Sequence, residues 1–576
     1  MILSPEKQVL EYTERGWWGE RTLIDLFLET VAQRADALAV VDPPNRAALT
    51  PGEPLRLTYA AAKTATDRLA NALLEAGVGK DDVVMVQLPN IVELVVTYLA
   101  CARIGAILSP LPVQFRTHEL RHVIGLTEPK VFVTTRSFGD HDYVAMVQSL
   151  QPEFPSVNHV IALGDDLPTG VLSLADILKT ESDTSRVDAY VAENPSSAND
   201  VFTICWTSGT VAEPKGVPRS HNLWIAIAYA TVDAADLQDG DALLNPFPLV
   251  NMSAIGGMLV PWLLTRGKLA MHHPLDLPIF LAQMGGEEIA YTVAPPVLLN
   301  LLLLRPGLLE NADLSHIRNI GSGSAPLSPW MVTRWQEEHN IPILNFFGSN
   351  EGTALVSDPI DIPDPAERAL YFPRLGVPGF TWSNRVADMI ETKLLDAETR
   401  EVITEPDARG ELAIRGATVF SGYWRRPNLT EESFDDEGYF LTGDLFAIAG
   451  EGGDRYRFVG RLKDLIIRGG MNIAPEEIEY LLADHPMIAD VAIVGVSDGR
   501  KLGEEVVTAI VVPKEGGDVT LGELVVFLKE KDIAAYKLPK RLVSVQSLPR
   551  NAVGKVLKRK IRRQLAADQA QPVERD

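Results

Sequence analysis

The chain has 576 residues, which is too many for one hydrophobic core, because domains typically contain about 100–200 residues. Its formal net charge of −24 argues against non-specific binding to nucleic acid, so we expect no nucleic-acid partner. The two cysteines, Cys101 and Cys205, exclude a disulfide framework and indicate a reducing compartment, for which we expect the cytoplasm.

The most apolar stretches do not predict a membrane span. The N-terminus lacks the basic and then apolar layout of a signal peptide. Residues 91–112 are interrupted by Glu93 and Arg103, and residues 252–265 are short and broken by glycine and proline. Since a spanning helix needs about 20 apolar residues, we interpret both stretches as buried core helices.

Helical and strand patterns alternate from the N-terminus to about residue 445. Residues 58–75 read as a helix that Thr58 can cap, and residues 93–107 read as a second helix. Short apolar runs predict buried strands at 83–86, 131–133 and 160–162. Short apolar strands separated by helices pair in parallel and are covered on both faces. The pattern therefore predicts an α/β fold built on mainly parallel sheets.

The pattern changes after about residue 380. Predicted elements there are strands at 385–395 and 410–415, a glycine-rich stretch at 443–460, a helix at 475–483, strands at 491–496 and 506–512, and a helix capped by Thr520 and Glu523. We expect a large N-terminal domain of several subdomains at 1–460, joined by a hinge to a small, mobile α+β C-terminal domain at 461–565. Residues 566–576 are expected to form a frayed tail.

A loop of small residues at 207–216 follows the apolar run 201–206. Glycines let backbone N–H groups approach anionic oxygens, hydroxyls donate hydrogen bonds, and Lys215 supplies a positive charge. The loop is not a Walker A motif, because no Gly-Lys-Ser/Thr follows Gly209 at the required distance. Taken alone, it fits either a polyphosphate-binding loop or an ordinary surface turn.

Three further segments carry candidate binding groups, each with an ordinary alternative. The small-residue turn at 321–327 can lie flat against a planar base, or can be a plain strand-to-helix turn. In the segment 345–351, an aromatic and a glycine precede Glu351, which can hold Mg²⁺ or can be a solvated loop acid. Asp444 follows a predicted strand, where it can accept ribose hydroxyl protons or can be a turn aspartate.

Charged and glycine-containing segments mark the C-terminal part. Residues 460–464 read Gly-Arg-Leu-Lys-Asp, and paired glycines at 469–470 precede a predicted helix. Near the end, Lys555 follows a glycine turn. The basic run at 558–563 is interpreted as a solvated helix face.

Together and in this order, these segments resemble the adenylate-forming superfamily of acyl-CoA synthetases, peptide-synthetase adenylation domains and beetle luciferases. The resemblance covers nearly the whole chain, and the motifs at 440–444, 460–464 and 554–555 carry it most specifically. Residues 11–18 and 533–555 look most like the branch of aryl-acid-adenylating enzymes and acid–CoA ligases.

The resemblance implies two half-reactions in one site. A carboxylate attacks the α-phosphate of ATP, giving an acyl-adenylate and pyrophosphate, and then a thiol, usually of CoA or a carrier protein, displaces AMP. Bringing two anions together requires preorganised cations and donors. The resemblance makes Lys555 the bridge between carboxylate and α-phosphate, Glu351 the Mg²⁺ ligand, and Lys463 the hinge residue.

Residues implied to bind the nucleotide or CoA share small size, hydroxyl groups or charge. By resemblance, the residues that bind the β- and γ-phosphates are Thr207, Ser208, Gly209, Thr210 and Lys215. Those that bind adenine are Ser324, Ala325, Pro326, Phe347 and Gly348. Asp444 and Arg461 bind the ribose, and Gly469 and Gly470 line the passage for pantetheine.

Departures from the family pattern concern the phosphate loop and the acid pocket. The family usually has Thr-Gly where this chain has Val211 and Ala212, so we expect weaker or slower handling of ATP. Asn350 stands where a threonine usually contacts the AMP phosphate, and its amide can still donate. The predicted acid-pocket residues are Asn251, Met252, Ile255, Gly256 and Gly323, and Met252 replaces an asparagine that reads a ring hydroxyl in dihydroxybenzoate enzymes.

We therefore expect an AMP-forming acid–CoA ligase for a hydrophobic carboxylate that is cyclic, aromatic, steroid-like or fatty. Its cofactors and co-substrates would be ATP, Mg²⁺ and CoA, and a homodimer is possible. One alternative is an enzyme that loads a carrier protein, and another is a non-catalytic nucleotide sensor. A third is a serine hydrolase at Ser497, because residues 495–499 fit Gly-x-Ser-x-Gly after a strand.

Overall fold

The computed structural model describes residues 1–181, 183, 185–207, 214–468, 471–497, 505–514, 517–531, 533, 535–551 and 554–570. It describes only the backbone of Lys463, Ile467, Met471, Asn472, Tyr536 and residues 566–570. The phosphate-loop residues 208–213 and the glycines at 469–470 therefore lie outside the described residues.

Two large sheets with parallel interiors form the first part of the chain. In spatial order, the eight-stranded sheet consists of Ala354–Ser357, Ile343–Gly348, Asn319–Gly323, Ile289–Val293, Ala242–Asn245, Lys268–Met271, Leu38–Val41 and Arg56–Thr58. The seven-stranded sheet consists of Gly216–Ser220, Val201–Trp206, Ile107–Pro110, Val83–Gln87, Val131–Thr135, His159–Leu163 and Val171–Ser173. Antiparallel pairing occurs only at edges of these sheets, which confirms the predicted α/β class.

Four smaller sheets among the described residues follow or accompany them. The six-stranded antiparallel sheet consists of Tyr371–Pro373, Arg455–Arg461, Phe440–Ala449, Arg409–Gly416, Ile390–Leu395 and Val402–Ile403. The C-terminal three-stranded sheet consists of Ile488–Ser497, Glu505–Pro513 and Arg541–Ser544. Short pairs join Ile466–Arg468 with Met471–Ile473 and Ser137–Phe138 with His141–Asp142.

Helices cover both faces of the two large sheets. The α-helices are Glu6–Glu14, Leu23–Arg34, Tyr59–Glu75, Val92–Ile104, Thr117–Thr127, Tyr143–Leu150, Leu174–Lys179, Ser185–Glu193, His221–Ala234, Met252–Ala254, Val260–Thr265, Leu277–Gly286, Pro296–Leu304, Pro329–His339, Pro365–Leu370, Pro427–Glu431, Pro475–Ala483, Leu521–Glu530 and Lys558–Ala570. A π-helix spans Ile255–Leu259, and 3₁₀ turns span Arg46–Ala48, Pro306–Leu308, Arg385–Asp388, Leu462–Asp464 and Ala535–Lys537.

Local sequence signals account for several of these boundaries. The Thr58 hydroxyl accepts a hydrogen bond from the Ala61 N–H at 3.2 Å and caps Tyr59–Glu75. The predicted helix at 93–107 instead ends at Ile104. Gly105 adopts a left-handed φ of +70°, and the chain turns into strand Ile107–Pro110. The capping box of Thr520 and Glu523 forms as predicted.

The hydrophobic core is shared by the N-terminal sheets, whereas the C-terminal segments pack around clusters of their own. One cluster runs from Tyr12 to Tyr456, and a separate cluster joins Ile466 to Leu538. Both cysteines are fully buried, and burial raises the pKa of each thiol, that of Cys205 to about 12. No helix within the described residues is long and apolar enough to cross a bilayer.

Candidate active site

One cleft of about 2340 Å³ brings together most of the residues predicted from sequence. Of the predicted residues, those that line it are Thr207, Lys215, Asn251, Met252, Ser324, Ala325, Pro326, Phe347, Gly348, Asn350, Glu351, Asp444, Arg461 and Lys555. These residues come from both large sheets, from the antiparallel sheet and from the C-terminal segment. Ser208, Gly209, Thr210, Gly469, Gly470 and the side chain of Lys463 lie outside the described residues.

The ends of the phosphate loop are held together by antiparallel pairing. The Thr207 N–H donates to the Lys215 carbonyl at 3.0 Å, at the point where strands Val201–Trp206 and Gly216–Ser220 separate. The Lys215 ammonium lies 4.6 Å from the centre of the Tyr423 ring. This cation–π contact directs the lysine toward the cleft, next to Glu351.

Glu351 is positioned by one tyrosine and by its own backbone. The Tyr423 hydroxyl donates to Glu351 Oε1 at 2.9 Å, and the Phe420 N–H donates to the Glu351 carbonyl at 2.8 Å. Burial and the Glu351 carboxylate both raise the pKa of Tyr423, so this tyrosine stays a donor. Glu351 presents a carboxylate to the cleft, which is the kind of ligand that a nucleotide-bound Mg²⁺ takes from a protein. Among the described residues, no three metal-ligating side chains cluster.

Asn350 links the segment that contains Met252 to strand Val201–Trp206. Its Oδ1 accepts the Met252 N–H at 2.8 Å, and its Nδ2 donates to the Trp206 carbonyl at 3.3 Å. One amide N–H therefore already has a backbone acceptor, and the second can still donate to a ligand. The side chain thus ties the acid-pocket segment to the strand that opens the phosphate loop.

Replacing Asn350 with leucine should therefore weaken both substrates together. The variant keeps the size but leaves the Met252 N–H and the Trp206 carbonyl without this partner, and we expect kcat/KM to fall about 10-fold for the acid and for ATP. Steady-state kinetics with each substrate varied would measure this. Asn300→Leu, on helix Pro296–Leu304, is the matched control. A change confined to one substrate would contradict the linking role.

Arg219 is a positioning residue that the sequence analysis missed. It is fully buried in strand Gly216–Ser220 and donates to the carbonyls of Asn350, Thr418 and Leu223 at 3.0, 2.9 and 2.7 Å. Burial lowers the pKa of its guanidinium to about 9. The sequence carried little signal for this role, because the strand reads Gly-Val-Pro-Arg-Ser and only the fold shows that the arginine is buried and needs several acceptors.

The nucleotide side is built from aromatic and charged residues on three strands. Phe347 packs edge-on against Phe446 at 4.9 Å between ring centres and lies 5.4 Å from Phe458. Arg461 Nε lies 2.8 Å from Asp444 Oδ1, and these two residues face each other across paired strands. The buried Asp444 carboxylate is therefore held in place at the wall of the cleft.

Lys555 reaches this cleft from a turn of the C-terminal segment. Asn551 closes the turn, because its Oδ1 accepts the Lys555 N–H at 2.8 Å and its N–H donates to the Lys555 carbonyl at 2.9 Å. Gly554 has a φ of +81°, and a Cβ placed there would lie 3.6 Å from Pro295 Cβ. The turn that carries Lys555 thus packs beside the start of helix Pro296–Leu304, which belongs to the N-terminal part of the chain.

The predicted solvated helix face at 558–563 is wrong for Lys558. Its ammonium lies 2.8 Å from Glu476 and 2.9 Å from Glu479. Although burial lowers the pKa of Lys558, the two carboxylates raise it overall, and burial raises the pKa of Glu479 to about 6. This cluster joins the last helix to helix Pro475–Ala483 and so supports the turn that carries Lys555.

Three of the residues predicted for the acid pocket do not line the cleft. Ile255 is fully buried, and a Cβ at Gly256 would lie 2.9 Å from Met252 Sδ. A Cβ at Gly323 would overlap the Phe346 carbonyl. The π-helix turns Ile255 and Gly256 into the core, and sheet pairing closes the space at Gly323.

The segment that leads to Met252 is anchored by residues that follow strand Val83–Gln87 of the seven-stranded sheet. The Tyr98 hydroxyl donates to the Leu249 carbonyl at 2.6 Å, and Asn90 Nδ2 donates to the Phe247 carbonyl at 2.8 Å. Asn90 Oδ1 accepts the Leu249 N–H at 3.1 Å. This wall of the cleft is therefore fixed by residues distant in sequence.

The serine hydrolase alternative does not fit the geometry. Ser497 ends strand Ile488–Ser497, which pairs antiparallel with Glu505–Pro513 and places Ser497 opposite Glu505. A nucleophile elbow requires a strand that turns directly into a helix. The next described element after Ser497 is instead the antiparallel strand Glu505–Pro513, and residues 498–499 of the motif lie outside the described residues.

Comparison with known proteins gives a consistent picture. The family model described as AMP-binding enzyme matches residues 27–424, and the AMP-binding enzyme C-terminal domain matches residues 477–555. The medium-chain fatty-acid–CoA ligase of Escherichia coli (strain K12) is 31% identical over 578 residues, covering 99% of this chain and 95% of that protein. The indoleacetate–CoA ligase of Aromatoleum aromaticum is 32% identical over 511 residues, covering 88% of this chain and 93% of that protein. The crystal structure of ATP-bound MatB from Rhodopseudomonas palustris superposes on this chain with a TM-score of 0.77 at 26% identity. The match covers 96% of this chain and 100% of the MatB chain.

Proposed function

Since this chain belongs to the AMP-binding enzyme family, whose C-terminal domain it also carries, we propose that it joins a hydrophobic carboxylic acid to CoA through an acyl-adenylate. The observation that carries the proposal is the position of Lys555. This residue comes from the C-terminal segment and lines the same cleft as Lys215, Glu351 and Asp444 of the N-terminal part. An ammonium group in that place suits a junction of two anions.

The first half-reaction brings the acid carboxylate to the α-phosphate of ATP. A carboxylate oxygen forms a bond to phosphorus while the bond to the bridging oxygen breaks, so that pyrophosphate leaves. Lys555 neutralises the two anions, and Lys215 and Thr207 hold the terminal phosphates. Glu351 would hold Mg²⁺, which would offset phosphate charge when bound.

The second half-reaction replaces AMP with a thiol. The sulfur attacks the acyl carbonyl and AMP leaves as the adenylate bond breaks. We propose domain boundaries at 460 and 565, with Lys463 as the hinge in the 3₁₀ turn Leu462–Asp464 and Gly469–Gly470 facing the site after rotation. Asp444 and Arg461 would hold the ribose, and Phe347 with the Ser324–Pro326 segment would enclose adenine.

The acid class follows from the residues on the acid side of the cleft. Met252 and Phe346 line it beside Asn251 and Ser253, so we propose an acid with an apolar body. Names of related proteins point in the same direction, because a medium-chain fatty acid and indoleacetate are both largely apolar acids. Loading of a carrier protein is the alternative for the second step.

A substrate panel tests the proposal. Aryl, alicyclic, steroid and fatty acids would each be incubated with ATP, Mg²⁺ and CoA, and mass spectrometry would detect acyl-CoA and AMP. We expect AMP and acyl-CoA from a subset of apolar acids. AMP release that requires a carrier protein would favour the alternative, and no AMP from any acid would refute a ligase.

A further inference from the structure

Two buried polar groups lie behind the acid side of the cleft and have no hydrogen-bond partner among the described residues. They are the Tyr291 hydroxyl and the Asn245 side-chain Nδ2. Tyr291 is 1% exposed and Asn245 is fully buried. Burying a donor without an acceptor is unfavourable, so each of these groups is available to an acceptor on a bound molecule.

Both groups are on the same face of the eight-stranded sheet. Strands Ala242–Asn245 and Ile289–Val293 run in parallel, with Leu243 opposite Tyr291. Because side chains alternate along a strand, Asn245 shares the face of Leu243, Tyr291 and Val293. Leu243, Tyr291 and Val293 belong to the same core cluster, which packs against the helices that follow Met252.

A glycine and a phenylalanine connect this face to the cleft. A Cβ placed on Gly321 would overlap the Tyr291 hydroxyl, and it would lie 3.1 Å from Phe346 Cε2 and 3.1 Å from Val293 Cγ1. Glycine at 321 therefore leaves room for the hydroxyl directly beside Phe346. The same Phe346 lines the cleft, so its ring is the side chain that separates the cleft from the Tyr291 hydroxyl.

The chemistry of the two groups selects the ligand. Asn245 Oδ1 already accepts the Phe247 N–H at 3.2 Å, which leaves Nδ2 as the end without a partner among the described residues. An amide Nδ2 only donates, and a tyrosine hydroxyl can also donate. The groups that border the hydroxyl, Val293 and Phe346, carry no charge, so a second carboxylate would be buried without a counter-charge. A neutral acceptor oxygen therefore suits each donor.

We propose that the acid carries a neutral oxygen, a ketone or a hydroxyl, at the end remote from its carboxylate, and that the Tyr291 hydroxyl binds this oxygen, with Asn245 as a second donor on the same face of the sheet. The proposal rests on the proposed function, because it places the carboxylate near Lys555 and the far end of the same molecule beyond Phe346. Met252, which is unbranched and lines the cleft, can move to admit the acyl chain. The acid is then apolar along its body and polar at both ends.

Matched pairs of acids test the proposal with the full-length enzyme. Each pair is an apolar acid and the same acid with a ketone at the end remote from the carboxylate. One pair is cyclohexanecarboxylate with 4-oxocyclohexanecarboxylate, and another is a fatty acid with its analogue that has a carbonyl next to the terminal methyl. We expect kcat/KM for AMP release to be about 10-fold higher for the ketone of at least one pair. In Tyr291→Phe, that ratio should fall to about one, because only the hydroxyl is removed.

Tyr59→Phe is the matched control, since Tyr59 is equally buried, does not line the cleft, and its hydroxyl already donates to the Gly267 carbonyl. Its ketone ratio should equal that of the wild type while its melting temperature falls. Tyr291→Phe should keep or raise the melting temperature. A lower melting temperature with an unchanged ketone ratio would mean that an internal water holds the hydroxyl, and it would overturn the proposal.

A binding readout separates this proposal from the proposed function. The rise in melting temperature with each acid alone, without ATP, should be larger for the ketone in the wild type and equal for both acids in Tyr291→Phe. If that difference appears without AMP release from any acid, the ligase function fails and the oxygen site stands. If AMP is released and every ratio is unchanged in Tyr291→Phe, the oxygen site fails and the ligase function stands.

Discussion

Replacing Lys555 with alanine is expected to abolish formation of the acyl-adenylate and to spare most thioester formation from supplied acyl-adenylate. Lys555 lines the cleft that also contains Glu351 and Asp444. Without its ammonium group, the carboxylate and the α-phosphate would meet with no cation between them. Removing one such preorganised charge typically costs about 10²–10³-fold in rate, so we expect at least that loss in the first half-reaction.

Two separate assays measure this split. Exchange of labelled pyrophosphate into ATP reports the first half-reaction, and acyl-CoA formation from synthetic acyl-adenylate reports the second. Lys540→Ala, an exposed lysine of the same C-terminal segment that does not line the cleft, should behave as the wild type in both assays. An equal loss of both half-reactions in Lys555→Ala would contradict the proposed role.

Replacing Arg219 with leucine is expected to lower both stability and adenylation. The substitution leaves the Asn350 and Thr418 carbonyls without the donor they have at 3.0 and 2.9 Å. Loss of such charge-assisted hydrogen bonds should cost about 3 kcal/mol of the free energy of unfolding. Because Asn350 precedes Glu351, a shifted turn should also misplace Glu351, the proposed Mg²⁺ ligand, and reduce kcat by about 10²-fold.

A Mg²⁺ titration distinguishes positioning from stability alone. Below its melting temperature, Arg219→Leu should need more Mg²⁺ for half-maximal rate, and Arg219→Lys should recover part of the loss. Arg385→Leu removes an arginine that pairs with Asp233 outside the cleft and should leave the Mg²⁺ dependence unchanged. If Arg219→Leu melts earlier but keeps the wild-type Mg²⁺ dependence, the arginine stabilises the fold without positioning Glu351.

The sequence predicted best those features that depend on short stretches of chain. The cap at Thr58, the capping box at Thr520 and the α/β class all rest on local patterns, and all three are confirmed. The helix predicted at 93–107 runs too far, because its apolar run continues across Gly105 into a buried strand. Periodicity cannot separate two buried elements that are equally apolar on every side.

Long-range contacts limited what could be predicted of the site. Most of the described residues that the family resemblance named, from Thr207 to Lys555, line one cleft, whereas Ile255, Gly256 and Gly323 do not. It gave no indication that Arg219 contacts residues near 350 and 418, or that Lys558 is enclosed by two carboxylates. Likewise, Tyr291 and Asn245 appeared to be ordinary strand residues, since only the folded sheet places them on one face.

The burial of Cys101 and Cys205 makes the natural chain suitable for site-specific labelling. Thiol reagents attack the thiolate of an accessible cysteine, and both native thiols are inaccessible and held protonated. Cysteines introduced at Leu304 and Val526, which are 57% and 56% exposed, can therefore receive a donor and an acceptor fluorophore without removing either native residue. Energy transfer between them would follow the distance between the N-terminal and C-terminal parts during turnover.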